Sequence, residues 1–201
     1  MYNKIIVTAV ILIQIQFAVG ENPRDEKMPD FITIVKEYAD AMIVQGRDTY
    51  GSESSPLFAS ALIRETMQPD RNKEIDKIDG VRENDRSLTG ANLIHDIDLY
   101  RTLYELAVVC KKDSYADEAD NALQYFFKNC QSPATGLMCW GEHLFWDFYT
   151  DQCGHGPNYD FHEAKEWPFW DQSYKLAPEA CWNFVIGEWD HQIHDKSTRS
   201  E

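Results

Sequence analysis

Two apolar repeats of helical period stand back to back in this chain with almost nothing between them, which constrains the fold more than any other feature. From about 91 to 110, Leu93, Ile97, Tyr100, Tyr104 and Ala107 fall along one face, and Leu103, Leu106 and Val108 widen it. A stripe that wide predicts burial on more than one side. After Lys111-Lys112-Asp113, a second stripe of Tyr115, Ala119, Ala122, Leu123, Phe126 and Phe127 runs to about 129. Ser114 with Asp117 three residues on has the pattern of a capping box that opens it. A linker of about three residues makes the two helices antiparallel neighbours.

The same period predicts a helix over roughly 31–45, with Phe31, Ile34, Val35, Tyr38 and Met42 facing inward, Lys36, Glu37 and Asp40 outward, and Gly46 as its stop. Residues 47–90 show no sustained period, and the stretch from Asp70 to Asp85 is dense in charge. This reads as a long connection holding at most one helical turn. Pro133-Ala134-Thr135-Gly136 signals a turn, Leu137 to Trp140 a short extended segment, and Pro178 sits at the first turn of a helix from about 176 to His194. The expected class is mainly α: antiparallel helical hairpins with long aromatic loops.

At the N-terminus, Met1–Lys4 carries one positive charge and Ile5–Phe17 is a short apolar run. Small residues in Ala18-Val19-Gly20 then fit a signal peptidase, so residues 1–20 read as a signal peptide and Glu21 as the mature start. The run is shorter than the roughly 20 residues a spanning helix needs, so no stable membrane anchor is expected after cleavage. Residues 21–30 read as a mobile leader, 31–195 as the helical domain and 196–201 as a polar tail. Export places the chain in a secreted or periplasmic setting.

Removing Lys4 with the leader takes the 19 basic residues to 18 against 34 acidic, a net charge of −16. Without a Lys/Arg cluster, such a surface repels nucleic acid. An acidic polysaccharide would need a local cation. Five cysteines leave at least one thiol over in a monomer, and Cys139 with Cys153 is the pair to test first for a disulfide.

Between Gln131 and Trp170 lie ten aromatic residues in 40 positions, about twice the chain average of 13%. Flat rings with interspersed polar groups suit sugars, which offer C–H patches for stacking and hydroxyls for directional hydrogen bonds. Trp140, Trp146 and Asp147 are candidate binding residues there, and Glu142-His143 and His162-Glu163 are candidates for proton transfer. Desolvation beside rings raises a carboxylic acid toward working pH and makes it a usable proton donor. A further group in Gly90-Ala91-Asn92-Leu93-Ile94-His95-Asp96 sits at a helix start, with His95 a candidate for proton transfer and Asn92 for binding, and Tyr50, also a candidate for binding, lies in a loop placed at the same end. His162-Glu163 lacks the second histidine of a zincin, because Glu166 stands in its place, and no third ligand accompanies His191 and His194. Neither metal nor other cofactor is expected.

Asp48-Thr49-Tyr50-Gly51, Ser55-Pro56-Leu57-Phe58, Gly90 to Asp96, Ser132 to Leu137 and Trp140-Gly141-Glu142-His143 occur in order, and through them the chain resembles bacterial (α/α) toroid or six-hairpin proteins. Some of these are pectate-lyase-like; the wider group includes glycoside hydrolases and sugar epimerases. The resemblance covers about 31–195 and implies a secreted carbohydrate-active protein, acting on a polysaccharide or oligosaccharide by lyase or hydrolase chemistry. It brings no catalytic assignment with it. Toroids of this type use about a dozen helices, so the four or so expected here imply an incomplete ring whose C-terminal half lies elsewhere. The alternative is a glycan-binding or scaffold fragment without catalysis.

Overall fold

A computed structural model describes residues 30–71, 87–141, 144–154 and 166–194, with residues 192–194 described by backbone alone. The hairpin expected from the two adjoining stripes is its central element: α2 (Ile97–Cys110) and α3 (Ser114–Asn129) pack against each other. Lys111 takes the left-handed conformation (φ 53°), so that its amide and that of Lys112 reach back to the carbonyls of Val108 and Ala107 and end α2. The Tyr104 hydroxyl of α2 donates to Asp120 of α3 at 2.7 Å. All six residues of the α3 stripe are buried. Each large side chain removed from water in this way stabilises by about 1.5–3 kcal/mol. The expected capping box is absent: Asp113, not Ser114, is the cap residue, and no side-chain hydrogen bond closes it.

Helix α1 spans Phe31–Gln45 and packs on α2, but the side it buries differs from expectation. Of the anticipated inward face only Met42 is buried, joined by Ala39, while Phe31 is 72% exposed and Ile34, Val35 and Tyr38 also face solvent. Asp40 is exposed, as expected, and accepts a 2.8 Å hydrogen bond from the Tyr115 hydroxyl of α3. That bond and the Met42 contact turn the helix so that its aliphatic side points away from the core.

The connection after α1 is less of a loop than its lack of period implies. Arg47 pairs with Phe58 in an isolated antiparallel bridge, and Leu57, Phe58 and Ala59 lie in the core. Arg47 crosses above the Phe58 ring, 3.8 Å from its centroid, and forms an ion pair with Glu118 of α3. Three two-residue strands follow: β1 (Gly90–Ala91), β2 (Trp146–Asp147) and β3 (Gln152–Cys153), an antiparallel sheet in the order β1-β2-β3. Gly90 faces Asp147 and Ala91 faces Trp146; a Cβ on Gly90 would lie 1.8 Å from the Trp146 carbonyl oxygen, so only glycine fits the crossing.

Two helices close the described chain. The short α4 (Trp170–Leu176), absent from the sequence reading, packs on α3, and α5 (Pro178–Glu188) packs on α4 with Pro178 in its first turn. A π-helical turn, Trp189–His194, continues α5. The turn at Ser132–Gly136 presses against α5, with added Cβ atoms on Gly136 and Gly187 falling 2.4 Å from the Asn183 oxygen and 2.3 Å from the Thr135 oxygen. All five cysteines are thiols, and no disulfide joins Cys139 to Cys153.

Candidate functional site

Buried and half-buried hydrogen bonds tie Asp48 to Ser55 and Leu57, and Asn92 and Asp96 to Ser60 and Gly141. Asp48 receives the Ser55 hydroxyl at 2.7 Å, and its backbone amide donates to Leu57. The Asp96 carboxylate accepts from the Ser60 hydroxyl at 3.0 Å and from the Asn92 amide at 3.3 Å. Burial pushes the Asp96 carboxyl up to about 8, with these two hydrogen bonds opposing the shift, and burial raises Asp48 as well.

Asn92 is fully buried and serves as a clamp. Its side-chain amide donates to the Gly141 carbonyl at 2.6 Å, and its side-chain oxygen accepts from the amides of Ile94 and Gly141. Its nitrogen and its oxygen are both bonded to backbone, and the side chain is fully buried, so it is out of reach of a sugar hydroxyl. Its effect is to fix the backbone of Gly141, the residue immediately before Glu142-His143. Glu142, His143, His162 and Glu163 lie outside the described residues.

Trp140 is also placed otherwise than the aromatic-loop reading requires. It is 2% exposed, stacked on Phe126 at 5.9 Å and surrounded by Phe127, Trp167, Trp170 and Phe184. No face of the indole is open to a ring in solvent; it is core.

The accessible aromatic surface is formed by Tyr50 and Tyr149, both partly exposed. Tyr50 lies parallel to Phe148 with centroids 6.3 Å apart, and tilts onto Tyr149 at 5.3 Å. The Arg71 guanidinium sits 4.5 Å from the centroid of the Tyr149 ring, and Arg71 makes no ion pair among the described residues. Trp146 is half-buried and holds the strand register. Asp147 shapes the turn that presents Tyr149: one of its oxygens accepts from the amides of Tyr149 and Thr150 at 2.9 and 3.0 Å, and the other from the Thr89 hydroxyl. Asp151 ties the loop of Tyr50 to the same turn, accepting from the Ser52 amide at 2.8 Å and hydroxyl at 2.6 Å, bonds that hold its carboxyl below the usual range. His95 is exposed, with Nδ1 3.3 Å from the Ser87 hydroxyl. Ser87 and Thr89 lie on one short segment leading into β1, which links the His95 and Asp147 contacts.

Sequence reasoning missed Arg71 and Tyr149 as partners. Arg71 stands at the edge of a charge-dense stretch, where one cation among many charges carries no distinguishing signal. Tyr149 was one of ten aromatics, and its proximity to Asp147 was the usable clue.

Together these groups provide stacking faces and a cation on one surface of an acidic protein. Residues 55–199 match the family described as periplasmic pectate lyase. The chain belongs to that family. Membership agrees with the polysaccharide-directed reading and with a location outside the cytoplasm. Among the described residues, no helix is long and apolar enough to cross a membrane.

Proposed function

We propose that this chain acts in lyase cleavage of an acidic, pectate-like polysaccharide, which it engages at the surface formed by Tyr50, Arg71 and Tyr149. The observation that carries the reading is the Arg71 guanidinium above the Tyr149 ring, beside Tyr50. A uronate unit has an apolar ring face and a carboxylate, and this surface offers a partner for each. On a chain of net charge −15, that local cation offsets part of the general repulsion.

In β-elimination a base takes the proton on the carbon beside the carboxylate, the electron pair forms a carbon–carbon double bond, and the glycosidic oxygen leaves and is protonated. A cation at the carboxylate stabilises the intermediate anion. Arg71 suits that last role. His95 is exposed and suits proton transfer, and Glu142, His143, His162 and Glu163 are proposed with it. Asn92 acts through the Gly141 backbone that it holds, and Asp147 acts through the turn that presents Tyr149. Residues 1–20 are proposed to direct export and to be removed.

The helices are read as hairpins of an (α/α) toroid. Their serial packing, α1 on α2, α2 on α3, α3 on α4 and α4 on α5, supports this. The test is ultraviolet absorption of unsaturated product from polygalacturonate, comparing the parent with Arg71→Ala. A tenfold or greater loss is expected. Saturable binding by the parent without any product would instead favour the glycan-binding alternative, and full activity in Arg71→Ala would remove the proposed anion contact.

A further inference from the structure

A second ring-lined surface lies far along the chain from Tyr50. Between α4 and α5 runs an open groove of about 500 Å³, within the range of small-ligand sites, lined by Trp170, Tyr174 and Trp182 with Asp171 and Lys175 beside them. Trp182 is 58% exposed and Tyr174 51%. Trp170 is fixed from behind: it meets Phe127 edge-on at 6.1 Å and Trp140 edge-on at 6.2 Å, and tilts against Phe184 at 5.3 Å. The groove therefore has one rigid wall and two accessible rings.

Its charges favour one kind of occupant. Asp171 and Lys175 are four residues apart on α4, yet among the described residues neither joins an ion pair. An apolar protein helix laid here would strip water from both charges without replacing it, which is costly. A saccharide covers the rings with its C–H face while its hydroxyls and carboxylate keep both charges solvated or bonded.

We infer that the α4–α5 groove is a second binding site for an acidic oligosaccharide, with Trp170, Tyr174 and Trp182 stacking on sugar rings, Lys175 pairing with a uronate carboxylate and Asp171 accepting from hydroxyls. The choice of an acidic sugar rests on the proposed lyase reading; the groove itself does not. Such a site would hold polymer away from the Tyr50–Arg71 surface and raise the local concentration of chain there.

The experiment is calorimetric titration of galacturonate oligomers of three to six units, and of the same oligomers with carboxyls reduced to alcohols, into the parent, Trp182→Ala, Lys175→Gln and Arg71→Ala. Circular dichroism would verify that each is folded. Trp182→Ala should weaken binding at one site about tenfold for both ligands, as loss of an aromatic anchor does. Lys175→Gln should weaken the acidic oligomer alone, and Arg71→Ala should leave this site intact. Parent-like binding in both Trp182→Ala and Lys175→Gln would overturn the inference, as would self-association abolished by Trp182→Ala with no oligomer bound. If the parent bound only the reduced oligomers, and through Trp182, the groove would stand as a neutral-sugar site and the lyase reading would fail.

Discussion

Helices α1 and α3 are of nearly equal length, 15 and 16 residues, and both carry an apolar stripe, yet α3 buries all six residues of its stripe and α1 one of its five. A period of 3.6 shows that apolar side chains share a direction. It does not supply the surface that covers them. α3 lies against α2 on one side and α4 and α5 on another, whereas α1 has α2 as its main neighbour.

The sharpest attempt to break this comparison is Phe126→Ala in α3. Removing a ring that contacts Phe127 and Trp140 should cost about 3–5 kcal/mol in denaturant unfolding, by lost burial and by the cavity left behind. A cost below about 1 kcal/mol would mean that the packing around α3 is loose.

A second test uses pH. Asp96 has a carboxyl raised from 3.8 to about 8, so between those values the folded chain holds a proton that the unfolded chain releases. Stability must then fall as pH rises through that window and level off above it. One proton gives at most about 1.4 kcal/mol per pH unit, so a fall of about 1–3 kcal/mol between pH 5 and 7 is expected. Asp96→Asn should flatten it. An unchanged slope in that variant would show that Asp96 is not the group responsible. Burial first, and then the charges of Asp96 and Asp98, raise the Tyr38 phenol of α1.

Met42→Ala probes the one part of the α1 stripe that is covered, and should cost about 2 kcal/mol. The smallest effect is expected at Val44, 75% exposed: Val44→Ser should change the unfolding midpoint by less than about 0.5 kcal/mol equivalent. A loss comparable to Met42→Ala would mean that this face is covered in solution.

The same distinction separates what the residues disclosed from what they withheld. The α2–α3 hairpin, the bounds of α1 and the Ser132–Gly136 turn were readable because each depends on local pattern. In that turn the Ser132 hydroxyl accepts the Thr135 amide and Gly136 takes φ 75°. The seven residues of α4 are too few for a period, and the aromatics around them drew the reading toward a loop. Leu57, Phe58 and Ala59 enter the core through one isolated bridge, which has no periodic signature. Trp140 shows the limit most plainly: composition marked the ring-rich segment, but the side on which an indole lies depends on Phe126, Phe127 and Phe184 arriving from other helices. At the candidate site, Tyr50 and Asp147 were singled out by residue type, whereas the pairing of Arg71 with Tyr149 required the fold that brings them together.

The two glycines at the meeting of the Ser132–Gly136 turn and α5 have an effect that reaches beyond their own contact. Main chain rests there on main chain, with Leu137 packed beside Gly187 and the Gln131 amide bonded to the carbonyls of both Gly136 and Ala180. The mounting is therefore stiff, and Trp182, one residue before Asn183 in α5, inherits a fixed bearing from it. An alanine at either glycine would act as a wedge, tilting α5 and misaligning its tryptophan without altering any residue of the groove.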